Sequence, residues 1–273
     1  MGSMSFLTGN QPESTPTWTD LDVTEGAAAE RAAEFYGAVF DWEFREDSLE
    51  DSREDFRGGF RADAGRGITC LLRGRPVAGL RTVPEGAPRL GAWRMYFAAD
   101  DCDAVTDRAV AAGATVTRGP AERGPLGRAA VLLDPVGAEF GLWQGRDLLG
   151  CELVNEPGAL VRNDLSTPHA ERARTFYATL FSYTLDGNED LPDFDFTFLR
   201  RPDGHEIGGV FGAPDAPSSR WETTFEVADT DAVVARAVAA GGDADAPSDM
   251  PYGRMARLTD PLGNAFHVIA RPS

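Results

Sequence analysis

The stretch Asp103-Ala-Val-Thr-Asp-Arg-Ala-Val-Ala-Ala-Gly113 decides the fold, because it returns as Asp231-Ala-Val-Val-Ala-Arg-Ala-Val-Ala-Ala-Gly241, changed only at its fourth and fifth residues. Each copy has a tryptophan upstream, Trp93 and Trp221. Each has an Asp-Pro-x-Gly turn downstream, Asp134-Pro-Val-Gly137 and Asp260-Pro-Leu-Gly263. A second echo sets Glu34-Phe-Tyr-Gly-Ala-Val-Phe-Asp-Trp42 against Thr175-Phe-Tyr-Ala-Thr-Leu-Phe-Ser-Tyr183. Internal repetition reports architecture, here a duplicated unit of roughly 130 residues. The 273 residues therefore divide into two domains.

Working outward, Cys102–Ala112 reads as a helix closed by Gly113 in the left-handed position after its end. A strand precedes it at Trp93–Ala99, and strands follow at Thr115–Arg118, Gly127–Asp134 and Glu139–Gln144. Upstream, Thr17–Val23 alternates, with Trp18, Asp20 and Asp22 on one face and Leu21 and Val23 on the other. Gly26–Phe40 carries Ala28, Ala32, Phe35, Tyr36 and Val39 at helical spacing. Strands are expected around Trp42–Arg45, Gly65–Arg73 and Arg75–Val83, with the charged Glu46–Asp63 as a loop or ragged strand pair. The same βαβββ order recurs over Leu160–Phe211 and Trp221–Ala270. The predicted fold class is α+β, four βαβββ modules paired into two domains. Residues 1–16 form a disordered leader, 17–148 the first domain and 158–271 the second.

Composition excludes several functions. The net charge of −18 opposes nucleic acid, whose phosphates require basic surface, and favours cations, small amines included. All 26 basic residues are arginine, so a Schiff-base lysine, a P-loop lysine and a lysine base are impossible. Cys70, Cys102 and Cys151 have no metal-like spacing and read as buried thiols. No apolar run approaches the ~18 residues of a membrane span. The start has neither a basic n-region nor an apolar h-region, so a secretory signal is not expected and the predicted location is cytoplasmic.

The motifs Phe35-Tyr36…Phe40-x-Trp42 and Phe176-Tyr177…Phe181-x-Tyr183, with the Asp-Pro-x-Gly turns, resemble the vicinal oxygen chelate superfamily. That superfamily includes glyoxalase I, extradiol dioxygenases, and bleomycin and fosfomycin resistance proteins. The likeness spans about residues 17–270, and Phe140-Gly-Leu-Trp-Gln144…Leu153-Val-Asn-Glu156…Leu160 resembles two-domain actinobacterial members described only as glyoxalase-like. It implies paired modules whose sheets curl into open, glyoxalase-like barrels around a cavity. Metalloenzymes of the family place ligands on the first and last strands of each module. Carried over, the first-strand positions are Trp18, Arg94, Arg162 and Glu222, and the last-strand positions are about Gly79, Gly141, Gly208 and His267. Two donors beside a guanidinium fall short of the three or four a stable site needs. No metal and no cofactor are expected.

Strand parity then names a cavity lining. In the first domain it is Trp18, Asp20, Arg94, Tyr96, Glu139 and Trp143, with Gly141 leaving room for a planar ligand. In the second it is Arg162, Asp164, Glu222, Thr224, Glu226, His267 and Ile269. Indole and phenol faces stack on flat aromatic systems, and a few convergent polar groups suit an organic ligand. Alternatively, Trp18 and Trp143 fill the barrel or pack beneath the helices. The alternating Phe194, Phe196 and Phe198 form either core against a helix or a stacking wall, while Phe60 and Phe211 are too isolated to read. His205 reads as an exposed turn and His169 as a surface residue. Glu222 and His267 are the catalytic candidates, as an acid/base pair or as a satisfied pair inside the barrel. The family hosts enzymes and non-catalytic binders alike. The resemblance favours a non-metal protein that sequesters a planar aromatic, anthracycline-like and cationic natural product in antibiotic resistance or biosynthesis. Its partners would be that ligand and a tailoring enzyme of the same pathway. The alternative is a glyoxalase-like lyase or isomerase, or a dioxygenase, using Glu222 and His267.

Overall fold

The computed structural model describes residues 5–47, 67–187 and 194–272. A short strand β1 (Ser5–Phe6) precedes the first module, β2 (Pro16–Thr24), α1 (Ala27–Phe40), β3 (Glu43–Glu46), β4 (Gly67–Leu72) and β5 (Arg75–Val83). The second module is β6 (Arg94–Ala98), α2 (Cys102–Ala111), β7 (Thr115–Glu122), β8 (Gly127–Leu133) and β9 (Glu139–Gly145). After β10 (Leu153–Val154), the third contains β11 (Leu160–Thr167), α3 (Ala170–Phe181), β12 (Thr184–Gly187), β13 (Phe196–Arg200) and β14 (Glu206–Gly212). The fourth contains β15 (Arg220–Glu226), α4 (Thr230–Ala239), β16 (Asp243–Ala244), β17 (Ser248–Met250), β18 (Gly253–Thr259) and β19 (Ala265–Ala270). The expected loop beyond Asp47, and Phe60 within it, lie outside the described residues.

The repeated stretch forms α2 and α4 for the same local reasons. Asp101 and Asp229 cap them, accepting from Ala104 N and Ala232 N at 3.0 Å, which satisfies one of the free amides of a first turn. Gly113 (φ +104°) and Gly241 (φ +86°) then reverse the chain in a conformation that penalises a Cβ.

The modules pair as expected within sheets. One sheet runs β3-β4-β5-β2-β6-β9-β8-β7, and the other runs β12-β13-β14-β11-β15-β19-β18-β16, with β1, β10 and β17 attached. Each curls into a cup without closing into a barrel, centred on an antiparallel pair, β2·β6 or β11·β15. The helix-side cores pair differently. One joins α1 and the outer faces of β2 and β5 to Phe225, Val233, Phe266 and Val268 of the fourth module. The other joins the second module to the third. The two domains thus share their cores, each helix layer burying apolar surface from both sheets.

That sharing explains the repeated signature. Trp93 Nε1 donates to the Tyr36 hydroxyl at 3.2 Å, and Tyr36 donates to Asp260 Oδ2 at 3.1 Å. Trp221 Nε1 donates to Tyr177 at 2.8 Å, and Tyr177 donates to Asp134 Oδ2 at 2.9 Å. Each Asp also takes amides of its own Asp-Pro-x-Gly turn, from Val136 and Ala138 or from Leu262 and Asn264. Both relays are buried and both cross between domains.

The leader, expected to be disordered, is tied down over its described part. Ser5 and Phe6 pair with Val154 and Leu153, the Ser14 amide donates to Ala98 O at 2.9 Å, and Ser14 and Thr15 are buried. The edge of β10 offers free backbone partners, and the polar leader supplies them. Among the described residues no helix is long and apolar enough to cross a membrane.

Candidate ligand-binding site

The face of each sheet opposite the helices is the candidate site. In the first cup, pairing sets Trp18 beside Tyr96, Asp20 beside Arg94, and Tyr96 beside Gly141. Every residue of the expected first-domain lining is thus brought together. Arg94 Nε meets Glu139 Oε1 at 2.6 Å, Nη1 meets Asp20 Oδ1 at 2.7 Å, and Nη2 meets Asp22 Oδ2 at 2.7 Å. Arg81 holds Asp22 Oδ1 through Nε at 2.8 Å and Nη2 at 2.5 Å, while Tyr96 donates to Asp20 Oδ2 at 2.7 Å. Burial alone would push Asp22 up, but the Arg94 and Arg81 guanidiniums outweigh it and hold the carboxyl below its ordinary range. Burial, with Asp20 alongside, pushes the Tyr96 phenol up, so it remains a donor.

This cup is closed. Arg94 is 1% exposed and Trp18, Tyr96 and Trp143 are buried, packed with Leu148, Cys151 and Leu160. Trp143 Nε1 donates to Leu148 O at 2.9 Å. Gly141, expected to leave room for a ligand, receives the Tyr96 ring instead. A Cβ there would fall 2.0 Å from Tyr96 Cδ1, so the ring occupies the space that the missing side chain frees. Arg81 and Asp22 complete the cluster and were outside the predicted site. Their alternation with Gly79 and Asp20 was the available signal.

The second cup has the same strand order and a different filling. Arg162 donates through Nε to Asp164 Oδ2 and through Nη1 to Glu206 Oε1, both at 2.6 Å. Its guanidinium lies 5.4 and 5.7 Å from the ring centres of Phe196 and Phe198, within reach of their π faces. The phenylalanine row therefore faces the cup and is not packed beneath α3. Leu199, on the opposite side of β13, fills that role in the core. Phe194 is 38% exposed, and its ring stacks on Phe211 at 4.7 Å and Phe196 at 6.0 Å. Phe196 sits over Gly209, where a Cβ would be 2.2 Å from its ring.

Glu206 was missed because parity fails in β14. The register with β13 shifts beside Gly208, whose φ is +136°, and such a bulge turns successive side chains onto one face. Deeper in the cup, Glu222 accepts from Arg220 Nε at 3.0 Å, and His267 Nδ1 lies 4.0 Å from Glu222 Oε2. His267 Nδ1 and Asp164 Oδ1 are buried and find no hydrogen-bond partner among the described residues. Burial holds His267 below the ordinary imidazole value despite Glu222. Thr224 is buried beside it and Glu226 pairs with Arg271. His205 is exposed in its turn.

Metal ligation does not fit either cup. In the first, the carboxylates meet a guanidinium, and Gly79 and Gly141 offer no donor. In the second, Glu222 and His267 stand with Arg220 on one side, and Gly209 holds the register position of Gly79. Among the described residues no three His, Cys, Asp or Glu side chains converge to hold an ion. Two shallow surface hollows lie elsewhere: one of about 560 Å³ near Pro168, His169 and Pro214 and one of about 290 Å³ near Gly113 and Phe176. Neither contains the converging groups of the cups.

A family model described as "Glyoxalase-like domain" matches residues 21–143 and again 161–269. CFP32 of Mycobacterium tuberculosis, which bears a glyoxylase name, is 35% identical over 264 residues, covering 94% of this chain and 95% of its own. The anthracycline biosynthesis protein DnrV of Streptomyces peucetius is 34% identical over 266 residues, covering 93% and 92%. Among solved structures, an Mn(II)-bound glyoxalase from Novosphingobium aromaticivorans is similar with a TM-score of 0.61 at 17% identity, covering 94% of this chain and 82% of its own. The 2,3-dioxygenase LapB of Pseudomonas sp. KL28 is similar with a TM-score of 0.58 at 16% identity, covering 99% and 96%. At these identities the structural matches speak for the fold alone.

Proposed function

The chain belongs to the glyoxalase-like domain family, and from that premise we propose that it binds a planar aromatic natural product, without a metal, in its second cup. The observation that carries this is the half-exposed wall of Phe194, Phe196, Phe198 and Phe211 beside the Arg162 guanidinium. Phe194, Phe196 and Phe211 stack nearly parallel with Phe198 edge-on to Phe196, and partly exposed rings in a concave face offer a flat ligand stacking area on one side. Arg162, Asp164, Glu206, Glu222 and His267 orient its polar substituents. The anthracycline names of relatives at 34% and 33% identity support a polycyclic ligand and a role in its biosynthesis or sequestration, acting beside a tailoring enzyme. In the first cup, Trp18, Asp20, Arg94, Tyr96, Glu139, Gly141 and Trp143 are engaged with one another, so one ligand per chain is expected.

The test is a titration of daunorubicin with the metal-stripped protein, read by the anthracycline's own fluorescence, with the ligand recovered and weighed. Saturable binding of one unaltered equivalent is expected. Phe196→Ala should weaken it by about 1–3 kcal/mol, taking aromatic–base stacking as the measured analogue. No binding, or binding indifferent to Phe196, overturns the reading.

One observation favours a catalytic reading. His267 is a part-buried imidazole whose basicity burial lowers, 4.0 Å from a Glu222 carboxylate that Arg220 fixes in place. A neutral imidazole backed by a carboxylate can accept a proton, the requirement of a metal-free lyase or isomerase. A ligand recovered with altered mass or retention, and unaltered after exposure to His267→Gln, selects this reading.

A further inference from the structure

The first cup holds three carboxylates on the edges of one guanidinium, and their spacing says what kind of cation it is built around. Asp20 and Asp22 come from the first strand of the first module, and Glu139 from the last strand of the second. Each meets a different nitrogen of Arg94 at 2.6–2.7 Å. A guanidinium presents its donors in a rigid planar fork about its central carbon. A divalent ion instead draws its oxygens to within about 2.0–2.6 Å of a single point. The observed arrangement belongs to the fork. Arg94 is 1% exposed, Tyr96 fixes the second oxygen of Asp20, and Arg81 with Arg118 takes up the remaining charge of Asp22.

We infer that Arg94 is the resident cation of the first cup, a covalently attached guanidinium that closes the carboxylate cage and makes this domain a fixed, metal-independent scaffold for the second. The inference concerns only the first cup and stands whether or not the second binds an aromatic ligand.

Removing the cation and supplying it from solution tests this. Arg94→Ala should leave a guanidinium-shaped gap lined by Asp20, Asp22 and Glu139. Millimolar methylguanidinium should then raise the variant's melting temperature, as a ligand of the native state must, and leave the parent's unchanged. Manganese chloride should stabilise neither protein preferentially. Arg94→Lys, which keeps the charge but not the fork, should melt well below the parent. If Arg94→Ala folds only when refolded with methylguanidinium, the inference holds in its strongest form. Four results overturn it: manganese rescue equal to methylguanidinium rescue, a folded Arg94→Ala indifferent to methylguanidinium, an Arg94→Lys protein as stable as the parent, or failure of Arg94→Ala to fold even with methylguanidinium present.

Discussion

The two cups superpose in register and invert in content. Asp20 pairs with Arg94 and Gly79 in the first as Asp164 pairs with Glu222 and Gly209 in the second, and Tyr96 faces Gly141 where Thr224 faces His267. Trp18 thus corresponds to Arg162, Arg94 to Glu222, Tyr96 to Thr224 and Gly141 to His267. In the first cup the central pair is an ion pair, and one buried guanidinium draws neighbouring carboxylates inward. In the second the central pair is two carboxylates. Like charges opposite each other repel, and Arg162 and Arg220 each draw one aside. An indole and a phenol plug the first cup; their counterparts in the second are an arginine and a threonine. The same topology therefore buries the centre of one cup and leaves that of the other partly exposed, according to four or five side chains.

The comparison can be broken most forcefully at its charged centre. Arg94→Met should cost about 3–5 kcal/mol, because it strands buried carboxylates, whereas Arg162→Met, at a partly exposed site, should cost about 1 kcal/mol or less. Urea denaturation of both checks this, and equal losses would remove the distinction between the cups. Closing the second cup by its own counterpart is the next test. Thr224→Tyr with His267→Gly should place a ring over a glycine as in the first cup and weaken daunorubicin binding about a hundredfold, close to 3 kcal/mol. The measurement is the same fluorescence titration, with circular dichroism to show a retained fold.

Smaller effects sharpen the comparison where the halves agree. Tyr36→Phe and Tyr177→Phe each leave a buried indole N–H and a buried carboxylate short of a partner. Both should lose about 1–3 kcal/mol, Tyr36→Phe the less, because Asp260 Oδ2 keeps the Asn264 side-chain amide at 2.8 Å where Ala138 stands beside Asp134; ligand affinity should not move. The last expected effect is in pH. Burial raises Asp134 to about 6 against the pull of its amide and Tyr177 donors. Its proton is thus bound more tightly in the folded chain than in the unfolded one. That contribution is complete at acid pH below the ordinary carboxylate value and declines as pH rises through about 6. Asp22 is lowered, so its contribution is present at neutral pH and is lost as pH falls through its folded value. NMR titration of the two carboxyls, one midpoint near 6 and the other below the usual range, checks both signs.

Much of this was legible in the residues. The repeat yields four modules, because duplicated local signals such as Asp caps, C-terminal glycines and Asp-Pro-x-Gly turns act within a few residues of themselves. Parity on β2, β6 and β9 brought Trp18, Asp20, Arg94, Tyr96, Glu139 and Trp143 onto one face, since alternation is a property of any regular strand. Parity failed at Glu206, beyond the bulge at Gly208, and could not choose a face for Phe196 and Phe198. The leader's attachment to β10 was also invisible, because an edge strand recruits partners through its backbone, whatever their side chains.

By itself the sequence determined the module count, the absence of lysine chemistry and the shared face of Trp18, Asp20, Arg94, Tyr96, Glu139 and Trp143. Only tertiary structure decided that the Trp–Tyr–Asp repeats stitch one domain to the other and that one cup is buried while its twin is partly exposed. The reason is range. Periodicity and capping are local and written in neighbouring residues, whereas cavity filling depends on which side chains from distant strands arrive at the same point. A glycine reads as empty space until the ring that fills it is brought across the sheet.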